Sequence, residues 1–226
     1  MPRGRSGERT GRQGAAGALL LSGLCLTGLA LIWVVAELMP AVQLRDAVAL
    51  RDFTLLSGPH VNALADFLLG LLEPLPFTVW ASALVLLALM RRRPRVALAV
   101  ALVMGLAPLA SEALKPLLAH PHVLVGNIHI APASWPSGHA TVAAALVLCA
   151  LLVLPPRLRP AAGALGAVFV AAVGCALLIR AWHMPSDVAG GYLMGALWMS
   201  LAVAGLRAAE RRWPSGPSRR RQESGV

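Results

Sequence analysis

The chain has 226 residues, of which 58% are hydrophobic and only 13% are charged, and its formal net charge is +10. Ordinary soluble proteins carry about twice that charged fraction, so the composition excludes a typical soluble domain and predicts one membrane-embedded domain. The basic excess does not indicate nucleic-acid binding. The basic residues are not interleaved with aromatic residues, and no nucleic-acid-binding module is recognisable.

Six apolar blocks predict an all-α integral membrane bundle of six transmembrane helices. They cover residues 15–36, 75–90, 96–114, 140–154, 161–179 and 187–206. Most approach the roughly 20 residues that a helix needs to cross the hydrocarbon core, whereas the second and fourth are short and depend on their flanks. The first block is longer than the core of a signal peptide and no clean small-residue cleavage site follows it, so we expect it to remain as a helix.

Polar segments flank the predicted bundle domain, which covers residues 15–206. Residues 1–14 are predicted to be a disordered basic N-terminus, and residues 207–226 a basic cytoplasmic tail. Between the first two blocks, segment 41–73 has charges at helical spacing. That pattern favours an amphipathic helix lying on the membrane, with a break at Ser57-Gly58-Pro59.

The placement of charge predicts the orientation of the bundle. Cytoplasmic loops of membrane proteins collect lysine and arginine, so we expect the N- and C-termini to be cytoplasmic. All six histidines then fall on the outer side. The Ala-, Arg-, Leu- and Gly-rich composition suggests a GC-rich bacterium. The expected location is therefore the plasma (inner) membrane of a bacterium, with a multi-pass chain whose titratable residues face the extracytoplasmic side.

Residues whose side chains could take part in catalysis or bind an anion lie where the predicted spans meet the outer surface. They end the third block, open the fourth, or lie between the fifth and the sixth. The set comprises Lys115, Ser137, Gly138, His139, Arg180, His183 and Asp187. Because the fourth and fifth spans leave the outer face and return to it, we expect two histidines, a carboxylate, a lysine and an arginine to converge at one membrane surface.

Each of these residues also has a purely structural explanation. Ser137 would cap the helix that follows it. Asp187 comes two residues after Pro185, in a first helical turn where negative charge is favourable. Lys115 would pair with Glu112, one turn earlier. These explanations treat the residues separately and do not account for the coincidence of scarce outer cations with two histidines at the ends of the blocks.

The combined pattern resembles the type 2 phosphatidic acid phosphatase superfamily of membrane lipid phosphatases. Pro136-Ser137-Gly138-His139 matches the Pro-Ser-Gly-His motif of that family, and His183-Met184-Pro185-Ser186-Asp187 matches its final histidine and aspartate. Two arginines of the family pattern are missing. His122 stands at the position of the first and Leu177 at that of the second, while Arg180 lies three residues before His183.

The resemblance implies a lipid phosphatase that acts on a polyprenyl diphosphate or a glycerophospholipid phosphate. His183 would be the nucleophile, Asp187 would orient it, and His139 would act as general acid and base. The implied phosphate-binding residues are Lys115, Ser137, Gly138, Arg180 and His122. The resemblance implies no metal and no cofactor. The expected partners are the lipid phosphate and the bilayer, and the oligomeric state is left open.

Two alternative functions remain. A lipid phosphotransferase would use the same histidine and pass the phosphoryl group to an alcohol, so only its products would distinguish it. A nonenzymatic lipid-binding or transport protein would keep the fold without the reaction. Transporters usually place polar groups near mid-membrane, and the middle of these blocks holds almost none.

Overall fold

The computed structural model describes residues 4–213 except 124 and 127, with side chains described from Gly14 onward apart from Glu37. The described part is all-α. Its helices are α1 (Gly4–Leu38), α2 (Pro40–Thr54), α3 (Pro59–Gly70), α4 (Pro74–Met90), α5 (Pro94–Leu117), α6 (Gly138–Val153), α7 (Arg159–Ile179) and α8 (Pro185–Arg212). A 3₁₀ turn, Pro156–Leu158, precedes α7. Five helices begin with proline, which suits a first position that needs no N–H: α2, α3, α4, α5 and α8.

The helices make the chain a multi-pass membrane protein. Within the described residues, four stretches are long and apolar enough to cross a bilayer: 14–36, 94–117, 156–179 and 185–212. Together, α3 and α4 also pass this test as a pair bent by 51°. α6 has 16 residues, which corresponds to about 24 Å at 1.5 Å per residue, shorter than a typical hydrocarbon core. All six predicted apolar blocks are therefore helical, and four or five spans meet the length criterion.

The helices extend beyond the boundaries predicted from the sequence. α1 begins at Gly4, inside the segment expected to be disordered, and residues 1–3 lie outside the described part. α8 continues to Arg212, so the segment predicted as a basic tail begins as helix, and residues 214–226 lie outside the described part. Segment 41–73 forms α2 and α3, and the expected break at residues 57–59 separates them.

The central helix of the bundle is α8, which packs against α1, α5 and α6. α6 and α8 approach closely because Gly191 and Gly195 have no side chains. A Cβ atom at Gly191 would lie 2.5 Å from the backbone oxygen of Ser137, which caps α6, and one at Gly195 would lie 3.0 Å from the backbone oxygen of Thr141 in α6. Small residues four positions apart permit such backbone contact between membrane helices. This contact holds the first turns of α6 and α8 together, and both turns carry residues of the predicted site.

Candidate active site

A cavity of about 340 Å³ lies where α5 ends and α6 begins. Its wall includes apolar residues of α4, α5 and α6. Its polar side chains are Glu73, Glu112, Lys115, His139 and His183, and Gly138 contributes backbone. Four of the predicted site residues from three separate parts of the sequence therefore meet in one cavity: Lys115, Gly138, His139 and His183. Among the residues that the structure describes, no group of three or more His, Cys, Asp or Glu is placed to hold a metal ion.

His183 is buried, and Asp187 orients its ring. The Nδ1 atom lies 3.2 Å from Asp187 Oδ2, and the same oxygen accepts the backbone N–H of Met184 at 2.9 Å. An ionised carboxylate only accepts hydrogen bonds, so Nδ1 carries the proton and Nε2 of the neutral ring has a free lone pair. Asp187 is fully buried. It therefore serves both as the cap of α8 and as the residue that selects the His183 tautomer.

The end of α7 determines where His183 lies. Trp182 N donates to Leu177 O, and Ala181 N donates to Leu178 O, each at 3.0 Å. This is the Schellman arrangement, which places Ala181 in the left-handed region with φ of 52°. A non-glycine residue there costs about 1–2 kcal/mol. The reversal lets the chain pass from α7 to α8 through residues 180–184 and deliver His183 to the cavity.

His139 lies in the first turn of α6. Its Nε2 atom lies 3.8 Å from Glu73 Oε1 and has no hydrogen-bond partner within the described chain. The ring packs edge-on against Trp182, with 5.6 Å between the centroids. The contact with Trp182 restrains the ring, and Nε2 is left without a protein hydrogen bond in the described chain.

Lys115 and Glu112 form an ion pair in the cavity, with 2.6 Å between Nζ and Oε1. The pair lies against the start of α6: a Cβ atom on Gly138 would be 2.9 Å from Glu112 Oε1 and 3.9 Å from Lys115 Nζ. Gly138 thus permits the approach of these side chains to the N-terminus of the helix. The pairing of Lys115 with Glu112 that the sequence suggested is therefore present in the fold. An anion that enters the cavity must compete with the Glu112 carboxylate for Lys115.

Three residues predicted to bind phosphate are absent from the described lining of the cavity. Ser137 is fully buried, and its Oγ accepts a backbone N–H of α6 at 3.4 Å, as a helix cap. Arg180 Nε lies 2.8 Å from Asp66 Oδ1 of α3, an ionic contact without the alignment of a hydrogen bond. His122 Nε2 lies 2.9 Å from Ser134 Oγ.

Two aspartates that the sequence analysis missed contact residues on either side of the loop before α8. Asp46 of α2 accepts hydrogen bonds from Ser186 Oγ at 2.6 Å and from Ser186 N at 3.3 Å. Burial raises the pKa of the Asp46 carboxyl, and the hydrogen bonds from Ser186 oppose that rise. Because Asp66 holds Arg180 and Ser186 directly precedes Asp187, α2 and α3 brace both ends of this loop. Asp46 and Ser186 are 140 residues apart in the sequence. The amphipathic pattern of segment 41–73 indicated a helix there but not which residue Asp46 would contact.

These features define a multi-pass helical membrane protein with a histidine–carboxylate site at one end of its bundle. The model of the PAP2 superfamily matches residues 96–211, just over half of the 226-residue chain. The chain belongs to the PAP2 superfamily.

One solved structure extends the likeness to most of the chain. It is described as the crystal structure of the first transmembrane PAP2 type phosphatidylglycerolphosphate phosphatase from Bacillus subtilis. The match has a TM-score of 0.69 and 22% sequence identity, and it covers 85% of this chain and 98% of that chain. At this identity the likeness is one of fold. No curated protein matches the sequence.

Proposed function

We propose that the protein is a membrane lipid phosphatase that hydrolyses a phosphomonoester or diphosphate on a lipid through a phosphohistidine intermediate. One observation carries the proposal: His183, paired with buried Asp187, lines the same cavity as His139 and Lys115. Membership of the PAP2 superfamily and the lipid phosphate named for the similar structure support the same class of reaction.

In the first step, Nε2 of His183 attacks phosphorus in line with the departing oxygen. A P–N bond forms as the P–O bond breaks, and His139 gives a proton to the leaving alkoxide or phosphate. Asp187 stabilises the positive charge that develops on the His183 ring. The proton on Nδ1 of His183 is held by Asp187 throughout this step.

In the second step, water hydrolyses the phosphohistidine. His139, now without its proton, takes one from the attacking water. The new P–O bond forms as the P–N bond breaks, and His183 recovers its lone pair. Inorganic phosphate leaves with one oxygen from water, and His139 is again protonated for the next cycle.

The phosphate oxygens need positive partners during both steps. Lys115 supplies one after the phosphate displaces Glu112, and the free backbone N–H groups at the start of α6 supply others. For Ser137 and His122 the role we propose is indirect, through the cap of α6 and the contact with Ser134. Arg180 can contact phosphate only if its ionic contact with Asp66 breaks. A normal rate of phosphate release in Arg180→Ala would show that Arg180 is not one of the phosphate-binding residues.

The substrate class that we propose is a polyprenyl diphosphate or a glycerophospholipid phosphate. The apolar wall of the cavity suits a lipid whose tail stays in the bilayer. For topology we propose six spans, cytoplasmic termini and a site on the extracytoplasmic side of a bacterial plasma membrane. A reporter fused after Gly216 should be cytoplasmic, whereas an extracytoplasmic reporter would invert this topology.

The test of the function is phosphate release from a panel of lipid phosphates by the purified protein. We expect release from at least one lipid phosphate and an unchanged rate in the presence of a chelator, because the proposed steps use only side chains and backbone groups. Loss of the rate with chelator, restored by a metal, would contradict the metal-independent mechanism. Transfer of phosphate to added alcohols, measured in the same reactions, distinguishes a phosphotransferase.

Glu112→Gln is expected to lower KM for the lipid phosphate by up to about fivefold. The amide leaves Lys115 without its ion-pair partner, and partly exposed ion pairs are worth about 0.2–1 kcal/mol. Steady-state kinetics would measure this change. Asp52→Asn, at an exposed position on α2, makes the same charge change and serves as the control. An unchanged or higher KM in Glu112→Gln alone would show that Glu112 does not compete with the substrate.

Asp46→Ala is expected to lower kcat about tenfold with little change in KM, because small displacements of a reacting group have large effects on rate. Asp46→Asn, which keeps an acceptor for Ser186, should restore most of the rate. Asp52→Ala, at an exposed position on the same helix, is the matched control. If Asp46→Ala and Asp46→Asn lose activity equally, or if the loss follows the melting temperature, the contact with Ser186 does not position the site.

A further inference from the structure

Two cavities meet between α5 and α8 at the end of the bundle that lies opposite the active site. One, of about 350 Å³, has charged side chains in its wall: Arg92, Arg93, Arg95 and Glu210. The other, of about 330 Å³, is lined almost wholly by apolar residues of α5 and α8. Arg95 and Leu206 line both cavities. The two therefore form one groove with a basic end and an apolar body, which we call the α5–α8 groove.

The α5–α8 groove is separate from the catalytic cavity. Arg95 and Lys115 lie on the same helix, 20 residues apart by their numbers, which corresponds to about 30 Å at 1.5 Å per residue. That distance is the thickness of a hydrocarbon core, so the two sites lie at opposite membrane surfaces. Whatever occupies the basic end of the groove therefore does not contact His183.

The groove has the shape of a site for an amphiphile. Its apolar body extends along α5 from Arg95 to Val103, or about 12 Å, opposite a wall of α8 that includes Trp198. Gly205 belongs to this wall, and a Cβ atom there would meet no protein atom within 4 Å. The missing side chain thus leaves space that a hydrocarbon chain can fill.

Among the described residues, the wall of the basic end carries more positive than negative charge. Three arginines face one glutamate in the wall. Arg93 donates from Nη1 to Leu152 O at 3.2 Å, so it also closes the end of α6. Arg92 has φ of 53°, a conformation that an arginine rarely adopts, in the short turn between α4 and α5. Guanidinium groups bind phosphate strongly and with defined geometry.

We propose that the α5–α8 groove binds an anionic phospholipid of the surrounding leaflet. Its headgroup phosphate contacts Arg92 and Arg95, and one acyl chain lies along the apolar body past Gly205. Charge favours an anionic over a zwitterionic headgroup, since each basic residue near a membrane surface adds attraction for anionic lipid. A soluble anion would use only the basic end and would gain nothing from the apolar body.

The test measures lipid retained by the detergent-purified full chain, by native mass spectrometry, with phosphatidylglycerol and phosphatidylcholine of identical acyl chains. We expect the unmodified protein to retain phosphatidylglycerol about tenfold better. The double variant Arg92→Gln/Arg95→Gln should lose this preference. The double variant Arg91→Gln/Arg157→Gln removes the same charge from exposed positions outside the groove and should keep it. Arg93 is left unchanged because of its bond to α6.

A second pair of variants tests the apolar body. Gly205→Leu places a side chain in the groove, where its Cβ atom would meet no protein atom within 4 Å, and should reduce retention of phosphatidylglycerol about tenfold. Gly105→Leu, also in open space but outside the groove, should not. The proposal is overturned if the unmodified protein shows no preference for phosphatidylglycerol. It is equally overturned if Arg91→Gln/Arg157→Gln removes the preference as fully as Arg92→Gln/Arg95→Gln, or if Gly205→Leu retains lipid normally.

Discussion

His183→Ala is expected to reduce release of phosphate from the best lipid substrate by about 10⁵- to 10⁶-fold, the scale on which enzymes lose rate when a covalent nucleophile is removed. Alanine leaves no atom that can form the P–N bond. His139, which lines the same cavity, would still donate protons but has no buried carboxylate within hydrogen-bond distance among the described residues. Phosphate release in detergent micelles would measure the loss.

The control for His183→Ala is His60→Ala, which removes an exposed histidine of α3. His60→Ala should retain the full rate. Both variants should melt within a few degrees of the unmodified protein, because neither opens a large cavity in the bundle. Substantial activity in folded His183→Ala would contradict the proposed nucleophile.

Asp187→Asn is expected to lower kcat about 10³- to 10⁴-fold, by analogy with loss of the carboxylate in a serine protease triad. The neutral amide cannot offset the positive charge on the His183 ring as the P–N bond forms. Its NH₂ group also permits the tautomer in which Nε2 carries the proton and cannot attack. KM should change less than kcat, since Asp187 does not line the cavity.

The folding of Asp187→Asn distinguishes this role from a structural one. The carboxylate is fully buried and its Oδ1 atom has no partner within the described chain, so its replacement by a neutral amide should not lower the melting temperature. Asp52→Asn provides the matched change at an exposed position. A fall in melting temperature that accounts for the lost rate, or a change confined to KM, would contradict the role in catalysis.

The parts of the site that were predictable from the sequence are those with local signals. Pro185 and Asp187 specify the start of α8, and Ser137 and Gly138 specify the start of α6. Because the fourth and fifth predicted spans leave the outer face and return to it, the starts of α6 and α8 were expected at the same end of the bundle. His139 and His183 were therefore expected there as well. Their meeting in one cavity confirms that expectation.

The parts that were not predictable depend on contacts between distant segments. Glu73 enters the cavity from the start of α4, and no spacing in the sequence relates it to His139. Arg180 was expected to bind phosphate, whereas its Nε atom lies 2.8 Å from Asp66 Oδ1 in the structure. Such pairings follow from how α3 packs against α7, which local pattern does not specify.

The number of spans likewise depends partly on local pattern and partly on contacts between distant segments. The apolar blocks predicted every long helix, because hydrophobic length is a local property. Among the described residues, four of the predicted spans meet the length criterion as single helices, and the bent pair of α3 and α4 makes a fifth, whereas α6 is short. The apolar blocks alone did not specify the bend. The insertion of segment 41–73 against α7 and α8 likewise required the folded bundle.

The most direct test of the mechanism is to trap the phosphoryl enzyme. Purified protein would be mixed with a lipid phosphate, quenched in alkali, where a phosphohistidine persists, and digested for mass spectrometry. The proposed mechanism predicts one phosphoryl group on His183 in the unmodified protein and none in His183→Ala. In His139→Ala the phosphorylated fraction should rise, provided that loss of the general base slows hydrolysis of the intermediate more than its formation. Turnover without a phosphorylated histidine, or phosphate on a residue other than His183, would contradict it.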